Sequence, residues 1–321
     1  MTLEHDISFP SGSLTLAGTV TLPNVRGIFP GAVLIPGSGQ VDRNENAEKL
    51  AINALREIAT DLADKGIASL RYDKRGVGAS QGDFWTTGFY DNVSDAFAAL
   101  RFFKSYEHIR PDQVFVLGHS EGAVIATRLG ATNTDVAGLI LLAGTAQSGE
   151  AVMAWQGQKV VKGMRGFNGF LINALHIDIQ KVQRKQFEKI KHSTKDWYRT
   201  QLIAKLNAKW MREFLEYNPA DDLPKIQAPI LAITGSKDIQ VDPSDLIRMT
   251  GLVTSEFEGH EVPDVTHILR AEAGEATLST YQQQVQQPVD KRVLNIISDW
   301  LQRHIEKQPA HDMAKLPQAA D

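Results

Sequence analysis

The chain has 321 residues, 42% of them hydrophobic and 22% charged, with no cysteine and a formal net charge of −4. This composition excludes disulfides, thiolate–metal sites, a cysteine nucleophile, global disorder and an overall basic field for nucleic acid. A chain of this length buries roughly 75% of its extended surface, so its core needs neither metal nor disulfide.

The opening MTLEHDISFP carries acids where a signal peptide needs bases and an apolar run. No stretch approaches about 18 uninterrupted apolar residues. The expectation is a cytoplasmic protein without a membrane partner.

Residues 5–22 alternate with period two through Ile7, Phe9, Leu14, Leu16 and Val20, which predicts a β-hairpin. Ala32–Ile35 is a short apolar run that stops in Pro36-Gly37-Ser38-Gly39, as suits a central parallel strand buried on both faces. Similar runs occupy Ile67–Tyr72, Val114–Leu117, Ala137–Leu142, Pro229–Thr234 and Glu256–Val262. Between them, Ala47–Lys65 sets Ala51, Leu55, Ile58 and Leu62 on one helical stripe and stops at Gly66. Phe89–Tyr106, Glu121–Leu129 and Val289–Ile305 also read as helices. Strands alternating with helices predict an α/β fold with a mostly parallel central sheet flanked by helices.

Residues 149–220 break that rhythm. They show no strand pattern, carry 13 Lys/Arg against 6 Asp/Glu, and hold three of the five tryptophans, Trp155, Trp197 and Trp210. This stretch reads as a helical insertion between two strands. The division is a core at 1–145 and 221–308, an insertion at 146–220, and a polar tail at 309–321 expected to be disordered.

Gly118-His119-Ser120-Glu121-Gly122 is the strongest chemical signal. A bare G-x-S-x-G is weak, but here an apolar strand leads in and the helix-forming Ala123–Ala126 leads out. Such a strand–turn–helix elbow holds a serine hydroxyl out at a sharp turn, with flanking glycines relieving the crowding. The bland alternative is an ordinary glycine-rich turn.

A serine nucleophile needs a base, and the base needs an orienting carboxylate. Asp238 follows the strand ending at Thr234, at the sheet's C-terminal edge. Its rivals, Asp242 and Asp245, flank Pro243 and read as capping and first-turn residues. For the base, His267 follows the loop Pro263–Thr266, whereas His260 lies in strand text. The oxyanion donors expected are the backbone N–H groups of Glu121 and Ser38. The loop at 36–39 lacks the lysine and Ser/Thr of a phosphate-binding loop. The Glu121 carboxylate reads as a helix-start residue rather than a catalyst.

GHSEG, the PGSG loop, Arg71–Ser80, Gly235-Ser236-Lys237-Asp238 and Val265–Leu269 together resemble the α/β-hydrolase superfamily, and are similar to bacterial serine carboxylesterases related to the acylaminoacyl- and prolyl-peptidase group. The resemblance covers roughly 5–145 and 221–305. It implies a Ser120–Asp238–His267 triad and a helical cap at 146–220. Pro36 departs from relatives that carry histidine there. Arg71–Ser80 is expected to form structural turns, with Asp73 and Arg75 bonding locally.

The functional expectation is a serine hydrolase without metal or cofactor, acting on small-molecule carboxylic esters, in particular short-chain or aryl acyl esters. The same triad serves a peptidase, an aminoacyl amidase or an acyltransferase, and a non-catalytic member of the fold would normally lack a triad residue. Cap aromatics such as Trp155, Phe167, Phe170 and Trp210 are the substrate-binding candidates. The positive excess of the cap reads as a solvated outer face, or as an attraction for anionic substrates.

Overall fold

The computed structural model describes residues 2–24, 26–132, 135–163, 179–199 and 205–307. The N-terminal alternation folds as an antiparallel hairpin of β1 (Leu3–Ser11) and β2 (Leu14–Leu22), turning at Gly12 with φ 58°. β3 (Phe29–Ile35) is buried along its whole length.

The helix predicted from residue 47 starts later. Asn46–Ala47 and Leu50–Ala51 pair as a small ribbon, β4 and β5, and the helix proper is α1 (Ala54–Asp64). The reason lies in two asparagines. Asn46 Oδ1 accepts the Asn53 amide at 2.8 Å, and Asn46 Nδ2 donates to Asn53 Oδ1 at 3.0 Å, closing the ribbon just before the helix. The predicted stop at Gly66 is present, with φ 81°.

Then follow β6 (Ala68–Tyr72), α2 (Phe89–Lys104), β7 (Ile109–His119), α3 (Glu121–Thr132) and β8 (Leu139–Leu142). β7 begins five residues before the predicted strand because Ile109 pairs with Phe29 across a register shift that accommodates Pro111. The chain next runs through α4 (Gly149–Gly163), α5 (Ile179–Lys191) and α6 (Ala208–Glu216). Contrary to the expectation of purely helical text, Trp197–Arg199 (β9) and Lys205–Asn207 (β10) form a short antiparallel pair here. β11 (Ile230–Gly235), α7 (Asp245–Leu252), β12 (Phe257–Val262), the single turn α8 (Tyr281–Gln284) and α9 (Lys291–Lys307) complete the fold.

Eight strands make one sheet in the order β1-β2-β6-β3-β7-β8-β11-β12, antiparallel from β1 to β6 and parallel from there on. The α/β architecture read from the sequence is the one observed. α1 and α9 cover one face, where Leu55, Ile58, Phe115 and Trp300 share a core. α2 and α3 cover the other, with Phe103, Val116, Ile125 and Leu129. Residues 149–216 enter after β8 and return to β11, strands that lie side by side, so their described parts stand over the C-terminal edge of the sheet. Their own small core is Phe187, Ile190, Met211 and Leu215. The tail at 309–321 lies outside the described residues.

Candidate active site

Ser120 stands between β7 and α3 with φ 55°, a left-handed conformation imposed by the turn. The tightness of the turn explains its glycines. A Cβ on Gly118 would overlap the Gly122 carbonyl, and a Cβ on Gly122 would overlap the Ile35 carbonyl.

His267 Nε2 is 3.0 Å from Ser120 Oγ, and His267 Nδ1 is 2.8 Å from Asp238 Oδ2. A carboxylate only accepts, so Nδ1 carries the proton and Nε2 presents its lone pair to the serine hydroxyl, which donates. The other Asp238 oxygen accepts the Gln240 amide at 2.7 Å and the Val241 amide at 2.9 Å. Asp238 is thus fixed by three donors and nearly fully buried, as is His267. The loop carrying His267 is set by the Lys237 amide on the Val265 carbonyl (2.9 Å) and the Thr266 amide on the Arg270 carbonyl (2.9 Å).

The rivals lie elsewhere. His260 sits on β12 and pairs with Glu258 at 2.7 Å. Asp245 occupies the first turn of α7, where its carboxylate takes Thr145 Oγ1 at 2.6 Å and Gln147 Nε2 at 3.0 Å. Asp242 accepts the Ser244 amide at 3.1 Å.

In the loop after β3, the Gly37 amide donates to Glu45 Oε1 at 2.6 Å. Ser38 is the next residue and lines the cavities beside Ser120 together with Glu121.

Sequence reasoning undervalued the Glu121 side chain. It does start α3, as expected, but it is also a buried hub: Oε2 accepts Lys74 Nζ at 2.8 Å, and Oε1 accepts Asn92 Nδ2 at 3.1 Å and Trp210 Nε1 at 2.5 Å. Lys74 was missed because Arg71–Ser80 reads as turn text. The available signal was its position two residues beyond a central strand. In that stretch Asp73 does bond locally, to the Ala79 amide at 3.0 Å, but also clasps Arg43, and Arg75 reaches across to Asp95 on α2 at 2.6 Å.

Two cavities open at Ser120, and a third adjoins one of them. One of about 260 Å³ is lined by Ser120, His267, Gln240, Leu278 and Tyr281. A narrow one contains Ser120, Val124, Val152 and Phe214. It shares Ser38, Glu121, Met153, Gln156 and Trp210 with a third of about 290 Å³, which also holds Lys74, Trp85 and Lys205. Of the four cap aromatics expected to bind substrate, Trp210 lines this space. Trp155 lines none of the three and instead lies under Lys159 Nζ, 4.9 Å from its ring centroid, because it sits on a different side of α4 from Met153 and Gln156. Phe167 and Phe170 fall outside the described residues.

The serine aminopeptidase S33 family matches residues 51–273, which include Ser120, Asp238 and His267. The chain belongs to that family. It thereby falls within the α/β-hydrolase superfamily, in agreement with the fold. Esterase EstD of Thermotoga maritima is 28% identical over 292 residues, covering 89% of this chain; the chain spans 65% of that relative's length. Est1E from Butyrivibrio proteoclasticus, solved with ferulic acid, superposes with a TM-score of 0.63 at 16% identity, over 95% of this chain and 100% of that one. A proline iminopeptidase of Mycobacterium smegmatis gives 0.62 at 15% identity, over 95% and 100%. Such distant structures share the fold with this chain. Among the described residues, no helix is long and apolar enough to cross a membrane.

Proposed function

We propose that this hydrolase cleaves small carboxylic esters through an acyl-enzyme formed on Ser120. The observation that carries the reading is the unbroken relay from Ser120 Oγ to His267 Nε2 (3.0 Å) and from His267 Nδ1 to Asp238 (2.8 Å). His267 takes the hydroxyl proton as Ser120 Oγ attacks the acyl carbonyl. Asp238 holds the imidazolium that forms, and the Ser38 and Glu121 amides receive the oxyanion. His267 then protonates the leaving alcohol, and water admitted on its side releases the acid by the same steps. Residues 146–220 act as a cap, with Trp210 and Met153 as an apolar roof that excludes water from the acyl group.

The family's name favours a second reading, hydrolysis of an N-terminal peptide bond. An aminopeptidase needs an anion for the substrate's free amino group. The carboxylates lining the three cavities, among the described residues, are Glu45 and Glu121; on the acyl side Glu121 has both oxygens engaged by protein donors, and Glu45 is engaged through Oε1 and lines the cavity on the His267 side. That supports esters over aminoacyl substrates.

The test is labelling with an active-site fluorophosphonate beside a panel of aryl esters and aminoacyl amides. Wild type is expected to label and Ser120→Ala is not, with turnover lost by roughly three to six orders of magnitude. Labelling that survives in Ser120→Ala, or amides preferred over esters in kcat/KM, would overturn the assignment of nucleophile or substrate respectively.

A further inference from the structure

The 290 Å³ cavity that adjoins the narrow pocket at Ser120 has a charge imbalance that the hydrolysis step does not use. Its walls are apolar and aromatic, with Phe84, Trp85, Trp210, Met153, Leu206 and Met211. Two lysines line it. Lys74 is at the floor and only 4% exposed. A lysine ammonium has three N–H donors, and among the described residues one of them is spent, on Glu121 Oε2. Lys205 stands at the rim on β10. Its Nζ lies 4.7 Å from the Trp85 ring centroid and 4.1 Å from that of Trp197, and it makes no ion pair among the described residues.

Glu121 is the one carboxylate among the described residues lining this cavity, and both its oxygens are occupied by Lys74, Asn92 and Trp210. One carboxylate against two ammonium groups leaves a net positive charge in a partly dehydrated, aromatic-walled chamber. An unpaired charge in such a place is costly unless a partner arrives.

The mechanism fixes which half of an ester enters here. His267 hands its proton to the leaving oxygen, so the alcohol must lie on the His267 side, in the cavity lined by Gln240, Leu278 and Tyr281. The acyl group then points the other way, past Glu121 and Trp210. We propose that the natural acyl group is an apolar or aromatic stem ending in a carboxylate, which the ammonium groups of Lys74 and Lys205 receive at the far end of this cavity. The inference rests on the ester-hydrolase reading above. It narrows the substrate to half-esters of dicarboxylic acids, with the second carboxylate left free.

The experiment uses two phenyl esters that differ at one group, the 4-carboxybenzoate and the neutral 4-carbamoylbenzoate, each corrected for its rate of alkaline hydrolysis. In wild type the kcat/KM ratio is expected to favour the carboxylate at least tenfold at low ionic strength, and less in about 0.5 M salt, where charge attraction is screened. Lys205→Met is expected to lower that ratio about tenfold. As a reading independent of turnover, tryptophan fluorescence titrated with benzene-1,4-dicarboxylate should show tighter binding than with its monoamide, and Lys205→Met should erase the difference. A ratio of one or below in wild type, or a preference unmoved by Lys205→Met, overturns the proposal. Fluorophosphonate labelling and turnover of the neutral ester report separately on the hydrolase reading.

Discussion

His119 lies between Glu45 and the main chain of His267, and both of its ring nitrogens meet oxygens that only accept. Nδ1 is 2.7 Å from Glu45 Oε1, and Nε2 is 2.8 Å from the His267 carbonyl. With Glu45 ionised, both nitrogens must donate, so the ring is an imidazolium. Its centroid is 5.0 Å from that of His267. Since Glu45 Oε1 also takes the Gly37 amide, the pair ties together the loop after β3, the elbow and the loop carrying His267.

This gives a stability prediction with a definite sign. Burial by itself pushes the His119 imidazolium down, but the Glu45 carboxylate and the His267 carbonyl outweigh it and raise the group above its ordinary value of 6.5. A raised folded-state pKa contributes stability that is complete below about pH 6.5 and fades as pH climbs through the folded value. His119→Gln should therefore be less stable than wild type at pH 6, and the gap should shrink as pH rises. Urea unfolding at several pH values measures it. A gap that widens toward alkaline pH would show that the ring is neutral.

The two histidines after Asp238 should separate cleanly. His267→Ala is expected to lose turnover by roughly three orders of magnitude or more while keeping its fold. His260→Ala removes an exposed-edge contact with Glu258, worth at most about 1 kcal/mol, and leaves the relay alone. EDTA should change neither rate, because the proposed steps run through side chains and backbone amides. Kinetics on the three proteins decides this. The reverse pattern would place the base on β12.

Much of this was legible because strands and tight glycine-flanked turns leave local marks. The apolar runs located the central strands, and the order Ser120, Asp238, His267 followed from chain position against strand ends. What was not legible depends on partners distant in sequence. Glu45 sits at φ 72° in a loop with no periodicity, and its bond to His119 crosses 74 residues. Lys74 and Trp210 meet at Glu121 only because α6 returns over the sheet edge. The β9–β10 ribbon is three residues a strand, too short for a period to show.

The elbow glycines give a third prediction. Gly122 packs against the Ile35 carbonyl so closely that a methyl group has no room, and the obstacle is backbone rather than a flexible side chain. Gly122→Ala should cost about 3 kcal/mol or more, since β3 and α3 must move apart. Gly251→Ala, with open space at its Cβ on α7, serves as the comparison and should be neutral or slightly stabilising. Thermal or urea unfolding of both variants gives the answer. An equal effect at the two positions would mean that the elbow is looser than described.

The last prediction concerns the buried pair of Lys74 and Glu121, whose side chains are 5% and 1% exposed. Two charges removed from water gain little over apolar groups of the same size, but removing one leaves the other stranded. Lys74→Met should thus strand the Glu121 carboxylate, with only Asn92 and Trp210 still bonded to it, at a cost of about 3 kcal/mol. Glu121→Leu should strand Lys74 at a similar cost and free the Trp210 indole. Lys74→Met combined with Glu121→Leu leaves no stranded charge, so its loss should be well below the sum of the two. The backbone amide at 121 survives all three substitutions, so fluorophosphonate labelling of Ser120 is expected to persist in the double variant. Urea denaturation of the set, read as a double-mutant cycle, yields the coupling directly. Additive losses would show that the pair contributes nothing as a pair and that Glu121 owes its burial to the indole and amide alone.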